Sequence, residues 1–250
     1  MTTTFVKRDS GPAIEWEARG LSWLRAARGA LVVPVVEWGD GHLTEERLTP
    51  VPVTAPVAED FGRRLWATHA AGADAFGTGP DEWDDATPGW IGHARLPLGH
   101  YARWGEFYAE LRLLPHAKAA HDQGSLSPTD LAAVERVCER LVDGDFDDGR
   151  PPARIHGDLW AGNVIFTTRG GVVIDPAAHG GHGETDLAML ALFGVPMLSR
   201  VQAAYAEAAG LDAGWPSRIL LHQLHPLLVH AQLFGSGYGY QAGEAARRYV

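Results

Sequence analysis

The chain has 250 residues, a formal net charge of −10, 46% hydrophobic content and one cysteine. That hydrophobic content excludes a wholly disordered chain, the acidic balance argues against nonspecific nucleic-acid binding, and a lone cysteine excludes an internal disulfide. The longest apolar stretch, Ile219 to Phe234, is broken by Gln223, Pro226, Gln232 and three histidines, too polar for a membrane span; with no basic, apolar leader at the start, a cytoplasmic protein is expected.

Phe5-Val6-Lys7 reads as a short strand. Ile14 to Arg28 reads as a helix with Leu21, Trp23 and Leu24 on its buried side and Trp16 near its start. Val32 to Trp38 and His42 to Leu48 read as two further strands, joined at Gly39-Asp40-Gly41, a strong turn signal. Thr49 to Pro56 is a proline-punctuated linker, because proline blocks both helix and ladder bonding. Helices are expected to dominate from there. Ala58 to Ala71 places Phe61, Leu65 and His69 on one side, and Tyr101 to Ala120 carries Trp104, Tyr108, Leu111 and Leu114 at helical spacing. Between them Gly77 to Gly92, with its run Asp81-Glu82-Trp83-Asp84-Asp85, reads as a solvated loop. Pro128 after Ser127 opens a helix that runs to about Val142 and buries Cys138. Ile219 to Phe234 reads as a buried helix pair.

The chemistry concentrates in His156-Gly157-Asp158-Leu159-Trp160-Ala161-Gly162-Asn163 and in the strand Val172-Val173-Ile174, which ends at Asp175. An Asp, an Asn five residues later and a strand-end Asp is the spacing by which kinases hold magnesium and ATP. Phosphoryl transfer asks the protein for positioning and charge neutralisation rather than covalent work. Asp158 is the candidate base, Asn163 and Asp175 offer the hard oxygen donors that suit magnesium, and His156 supports the loop. The same template asks for a strand lysine that contacts the nucleotide phosphates, and Lys7 fits it. Twelve histidines do not amount to a zinc site, because close-spaced cysteines and a His-Glu-x-x-His run are both absent. Ser236 lies in Gly235-Ser236-Gly237 without the Gly-x-Ser-x-Gly pattern of a hydrolase nucleophile.

The segments HGDLWAGNV, IDPAAHGGHGETDLAMLALFG and FGSGYGYQAGEAARRY resemble fructosamine kinases, a family within the larger aminoglycoside phosphotransferase and choline kinase group. The resemblance runs from Phe5 to the end of the chain. Its sharpest marks are Trp160 inside the catalytic loop and the block from Gly181 to Gly194. It implies an α+β, protein kinase-like two-lobed fold, with a reduced N-terminal lobe at 1–48 and a mainly helical C-terminal lobe at 49–250. It implies ATP and Mg2+ as cofactors. Glu17 is then the partner of Lys7, with Glu15 the lesser choice, and Glu46, Arg47 and Leu48 form a hinge whose backbone meets the adenine edge. Trp160 and His182 or Glu184 would face the ketosamine, while Asp186 would bond the catalytic-loop backbone and cap the following helix. The implied reaction is ATP-dependent phosphorylation of a sugar hydroxyl on a fructosamine or ribulosamine, free or protein-bound, in deglycation repair, with no nucleic-acid or membrane partner. A kinase for another small alcohol, such as an aminoglycoside or choline-like compound, is one alternative. A nucleotide-binding or scaffolding pseudokinase is the other, because kinases of this type carry two strands and a phosphate-covering turn ahead of the lysine. Only six residues precede Lys7, too few for those strands, and the Phe5 strand is expected to leave an exposed edge.

Overall fold

Prolines set the element boundaries in the first part of the computed structural model, which describes residues 3–39 and 41–250. Strand β1 (Thr4–Arg8) is followed by helix α1 (Gly11–Ala26), which starts ahead of the predicted Ile14 because Pro12 sits in its first turn, where no N–H is needed. The single strand expected over Val32 to Trp38 is two, β2 (Leu31–Val32) and β3 (Val35–Gly39), parted at Pro34, which cannot donate to a ladder. Asp40, the middle of the predicted turn, lies outside the described residues. β4 (His42–Glu46) then lies between β1 and β3 in an antiparallel sheet, with Lys7 opposite Leu43 and Phe5 opposite Glu45. Helix α1 packs beneath this sheet through Ile14, Ala18 and Leu21 against Leu43 and Val33.

Helix α2 (Ala55–Ala70) absorbs the end of the predicted linker, again with proline in its first turn, and buries Phe61, Leu65 and His69 as the spacing requires. The expected loop from Gly77 to Gly92 ends in an unforeseen hairpin, β5 (Gly89–Ile91) paired with β6 (Ala94–Leu96) just beyond it. The helix expected over Tyr101 to Ala120 divides into α3 (Trp104–Phe107), a π-helical turn (Tyr108–Leu113) and α4 (Leu114–Asp122). Pro115 gives the reason: it has no N–H for the carbonyl four residues back and its ring crowds that carbonyl, so the turn ahead of it widens. The wider turn rotates the buried face, and Arg112 rather than Leu111 is fully enclosed.

Helix α5 (Pro128–Asp143) is capped by Ser127, whose Oγ accepts from the Asp130 N–H at 3.1 Å. Strands β7 (Ala153–Ile155), β8 (Val164–Thr167), β9 (Gly170–Val173) and β10 (His179–Gly181) frame the loop that carries Asp158 and Asn163. β9 lies between β8 and β2, so the first part of the chain is bonded in parallel to the strand that leads to Asp175. The remainder is helical: α6 (Gly183–Phe193), α7 (Leu198–Ala209), α8 (Ile219–Phe234) and α9 (Ser236–Ala246). The predicted helix pair is the single helix α8, continuous through Pro226. The carbonyl of His222, deprived of its Pro226 donor, accepts from the Tyr108 hydroxyl at 2.9 Å, and the His225 N–H donates back to that oxygen at 3.2 Å.

Two cores result. One joins α3, α5, α8 and α9 around Phe107, Tyr108, Val134, Leu141 and Leu228; the other joins α2, α6 and α7 to β8 and β9 through Phe61, Leu187, Tyr205 and Phe166. Helices α2 and α7 approach so closely that a Cβ on Gly62 would stand 2.3 Å from the Val201 carbonyl oxygen. Gly62→Val should therefore force the helices apart and destabilise the protein by about 1–3 kcal/mol in urea denaturation; an unchanged midpoint would show that the contact is not confining.

Candidate active site

Asp175 follows β9 after one residue, with φ 55°, a left-handed conformation that Asp adopts more readily than most residues. The strand end is held from both sides, because the Val33 N–H donates to the Val173 carbonyl and the Ile174 N–H to the Asn163 carbonyl, each at 3.1 Å. Asn163 ends a short 3-10 turn (Ala161–Asn163). Its Nδ2 donates to the Asp158 carbonyl at 2.9 Å and the Asp158 carboxylate at 3.1 Å, which fixes the amide with Oδ1 as its remaining acceptor. Asp158, Asn163, Asp175 and Trp160 all line one cavity of about 330 Å3. Asp158 keeps a face toward this space, but protein surrounds it elsewhere. Burial pushes its carboxyl up to about 7, helped by the charges of Asp175 and Asp186 and opposed by the Asn163 hydrogen bond.

The cavity is also lined by Trp90 and His93, which the sequence alone does not single out. They sit on the β5–β6 hairpin, whose turn carries Gly92 at φ 54°; a Trp and a His flanking a glycine between two short apolar runs is the signal that could have marked them. Trp160 is 41% exposed. Its ring covers Gly162, where a Cβ would lie 2.4 Å away, and meets Phe193 edge-on at 6.2 Å between centroids.

A second cleft, of about 260 Å3, lies beneath β1 and β4 and is bordered by Phe5, Lys7, Glu45, Leu48, Ile174 and Asp175. Lys7 contacts Glu17 at 2.5 Å, Glu45 at 3.3 Å, and Asp175 directly. Glu15 pairs instead with Arg19. Burial works against the Lys7 charge, but Glu17, Asp175 and Glu45 outweigh it and hold the ammonium above its usual value. Burial also pushes Glu17 up to about 7 and raises Glu45, against the pull of Lys7. Glu45 was not singled out by sequence; its signal is the period-two alternation that puts it on the same face of β4 as buried Leu43. Glu46 borders the cleft, but its carboxylate pairs with Arg169 at 2.7 Å. The Leu48 N–H makes no hydrogen bond among the described residues.

His182 and Glu184 are not brought to Asp158. Both are buried and line a different cavity with His69 and Tyr205, because the start of α6 turns away behind the catalytic loop. His182, not Asp186, caps α6, its Nδ1 accepting from the Glu184 N–H while Nε2 meets Asp148 at 3.2 Å. Glu184 is held by Arg218 at 2.5 Å. His182, Glu184 and His222 could together surround a cation, but the guanidinium already supplies that charge.

Asp186 is fully enclosed. Its two oxygens accept from the His156 and Gly157 N–H groups at 2.8 and 2.9 Å, and from His69 at 3.0 Å. Gly157 has φ 81°, and a Cβ there would lie 2.3 Å from the Ala177 carbonyl oxygen. His156 bonds the Ile174 carbonyl at 2.9 Å, tying the loop to the Asp175 strand, and burial holds its imidazole below the ordinary value. Burial would raise the Asp186 carboxyl, but the His69 and backbone hydrogen bonds prevail and keep it below its usual range.

A strand lysine bonded to a helix glutamate, beside an Asp-Asn-Asp set carried by a loop and a strand end, defines a kinase-like phosphotransferase architecture. An aminoglycoside phosphotransferase, APH(4)-Ia, shares this fold with a TM-score of 0.62 at 15% identity, over 100% of this chain and 87% of that one. The sequence profile of the fructosamine kinase family matches residues 3–250, and the chain belongs to that family. It is similar to a candidate fructosamine-3-kinase of Thermobifida fusca, with 48% identity and a TM-score of 0.88 over 98% of this chain and 85% of that one. It is also 36% identical over 191 residues to a probable ketoamine kinase of Synechocystis, a match that covers 75% of this chain and spans 60% of the relative's length. Among the described residues no helix is long and apolar enough to cross a membrane.

Replacing Asp186 by Ala would leave two buried N–H groups and His69 without their acceptor. We expect a loss of about 3–5 kcal/mol in urea denaturation. Because the folded carboxyl lies below its unfolded value, this contribution is complete above about pH 4 and shrinks as the pH falls through the folded value. A difference from wild type that grows on acidification would contradict the assignment.

Proposed function

We propose that the protein transfers the γ-phosphoryl group of ATP to a sugar hydroxyl of a ketosamine, most directly the 3-hydroxyl of a fructosamine or ribulosamine. The observation that carries this reading is the convergence of Asp158, Asn163 and Asp175 on one cavity, with Asp175 also bordering the cleft that holds Lys7. The names borne by the Synechocystis and Thermobifida relatives supply the acceptor class.

Lys7 would engage the triphosphate, and Asp158 would accept the proton of the acceptor hydroxyl as its oxygen bonds to the γ-phosphorus. The bond from that phosphorus to the bridging oxygen breaks, and ADP leaves with the bridging oxygen. The free Oδ1 of Asn163 and the half-exposed Asp175 carboxylate are the hard donors that would hold magnesium, which supplies charge neutralisation on the phosphates. Trp160, Trp90 and His93 would form the acceptor walls, aromatic surfaces that suit a sugar face and its neighbouring amine. The reading includes a cytoplasmic setting, and the buried, unpaired Cys138 is compatible with reducing surroundings.

With Asp158→Asn, turnover should fall by a factor of about 100 or more while magnesium-ATP affinity stays within about threefold; turnover near wild type would remove Asp158 as the base. For the native protein the base must be ionised, so the rate should climb as pH rises and level off at or below about 7, the cation lowering the carboxyl from its metal-free position. Trp160→Ala should raise the Michaelis constant of a synthetic fructosamine about tenfold and that of ATP far less. Equal increases in the two constants would make the ring a brace of the loop over Gly162 rather than a wall of the acceptor site.

A further inference from the structure

Glu45 is 3% exposed and stands directly opposite Phe5 across β1 and β4, on the cleft-facing side of both strands. One carboxylate oxygen, Oε2, lies 3.3 Å from the Lys7 ammonium. The other, Oε1, is buried and has no hydrogen-bond partner among the described residues. A buried acceptor left unpaired is costly, and a ligand that supplies a donor would relieve it. Charged Lys7, Glu46, Arg47 and Asp175 share the lining of the cleft it borders, and Phe5, Val33, Leu48, Ile165 and Ile174 present apolar surfaces suited to a flat ring.

We propose that Glu45 sets the nucleobase selectivity of this cleft, its Oε1 accepting a hydrogen bond from the exocyclic 6-amine of an adenine nucleotide and disfavouring 6-oxo purines. The inference rests on the reading of the cleft as the nucleotide site. An amine donor satisfies the orphaned oxygen, whereas a 6-oxo group sets a lone pair against a carboxylate and leaves both acceptors unpaired. The Leu48 backbone beside the cleft also distinguishes the two base edges, but it does so equally whatever residue stands at 45. Balancing the Lys7 charge is the competing role for Glu45. A change acting through Lys7 would move the affinity of every nucleotide alike, through the phosphates, so the ratio between two bases isolates the contact.

The test is calorimetric binding of ATP and inosine triphosphate, each with magnesium, to the full chain carrying Glu, Gln or Leu at position 45, with folding checked by thermal melts. Glu45→Gln keeps the shape and can turn an N–H toward a 6-oxo group, so the preference for ATP over inosine triphosphate should fall about tenfold. Glu45→Leu should narrow the same ratio by weakening ATP. A ratio within twofold of wild type in both variants overturns the proposal, whatever the loss of absolute affinity. If the folded wild-type chain binds neither nucleotide, the nucleotide reading itself is wrong and the inference falls with it.

Discussion

The loop that carries Asp158 is held by one enclosed carboxylate. Asp186 receives the N–H groups of His156 and Gly157 and the imidazole of His69, so its charge is distributed over three donors in a region that excludes water. Two consecutive N–H groups aimed at one carboxylate leave the chain little choice of direction, and the left-handed turn at Gly157 then delivers Asp158 to the cavity. His69 is itself fixed by the Tyr205 hydroxyl at 2.7 Å, with the donor at Nε2 assigned from its carboxylate partner. The constraint thus runs from α2 and α7, through a histidine, into the loop. The close approach of those helices at Gly62 is part of the same device, because a wider separation would move His69 relative to Tyr205.

The helical half is organised around prolines placed where an α-helix would not choose them. Pro115 enforces the π-helical turn that buries Arg112, and Pro226 interrupts the ladder of α8 at the height of Tyr108. Tyr108 belongs to that π-helical turn, and its single hydroxyl proton is shared between the carbonyls of Leu221 and His222, at 3.0 and 2.9 Å. One irregularity therefore supplies the polar group that the other requires. Without Tyr108, Pro226 would leave the His222 carbonyl without a donor.

Where local chemistry decides an element, the sequence was readable. Ser127 with Pro128 opens α5, and the apolar spacing of Phe61, Leu65 and His69 identifies the face of α2 that becomes buried. The Asp158, Asn163 and Asp175 spacing located the cavity because a motif whose parts lie on one loop and one adjoining strand is carried intact into three dimensions. The failures share a physical cause. Pro34 splits a strand because β2 finds its partner in β9, some 140 residues away, and α8 survives Pro226 because of a tyrosine on another helix. His182 and Glu184 lie near the motif in sequence, but the turn into α6 carries them behind the loop, where Arg218 and Asp148 claim them.

This separates the chemistry of the site from its selectivity. The groups assigned to phosphoryl transfer are anchored by backbone hydrogen bonds within a short stretch of chain, and a fixed residue spacing records that anchoring. The groups assigned to recognition come from elsewhere: Trp90 and His93 from a hairpin with two three-residue strands, and Glu45 from the pleat of β4. Their placement depends on strand register and hairpin position, which no local motif encodes. Proteins that share the loop can therefore share the reaction while differing in base and acceptor. In this chain the residues to compare for that purpose are Glu45, Trp90 and His93 rather than Asp158 or Asn163.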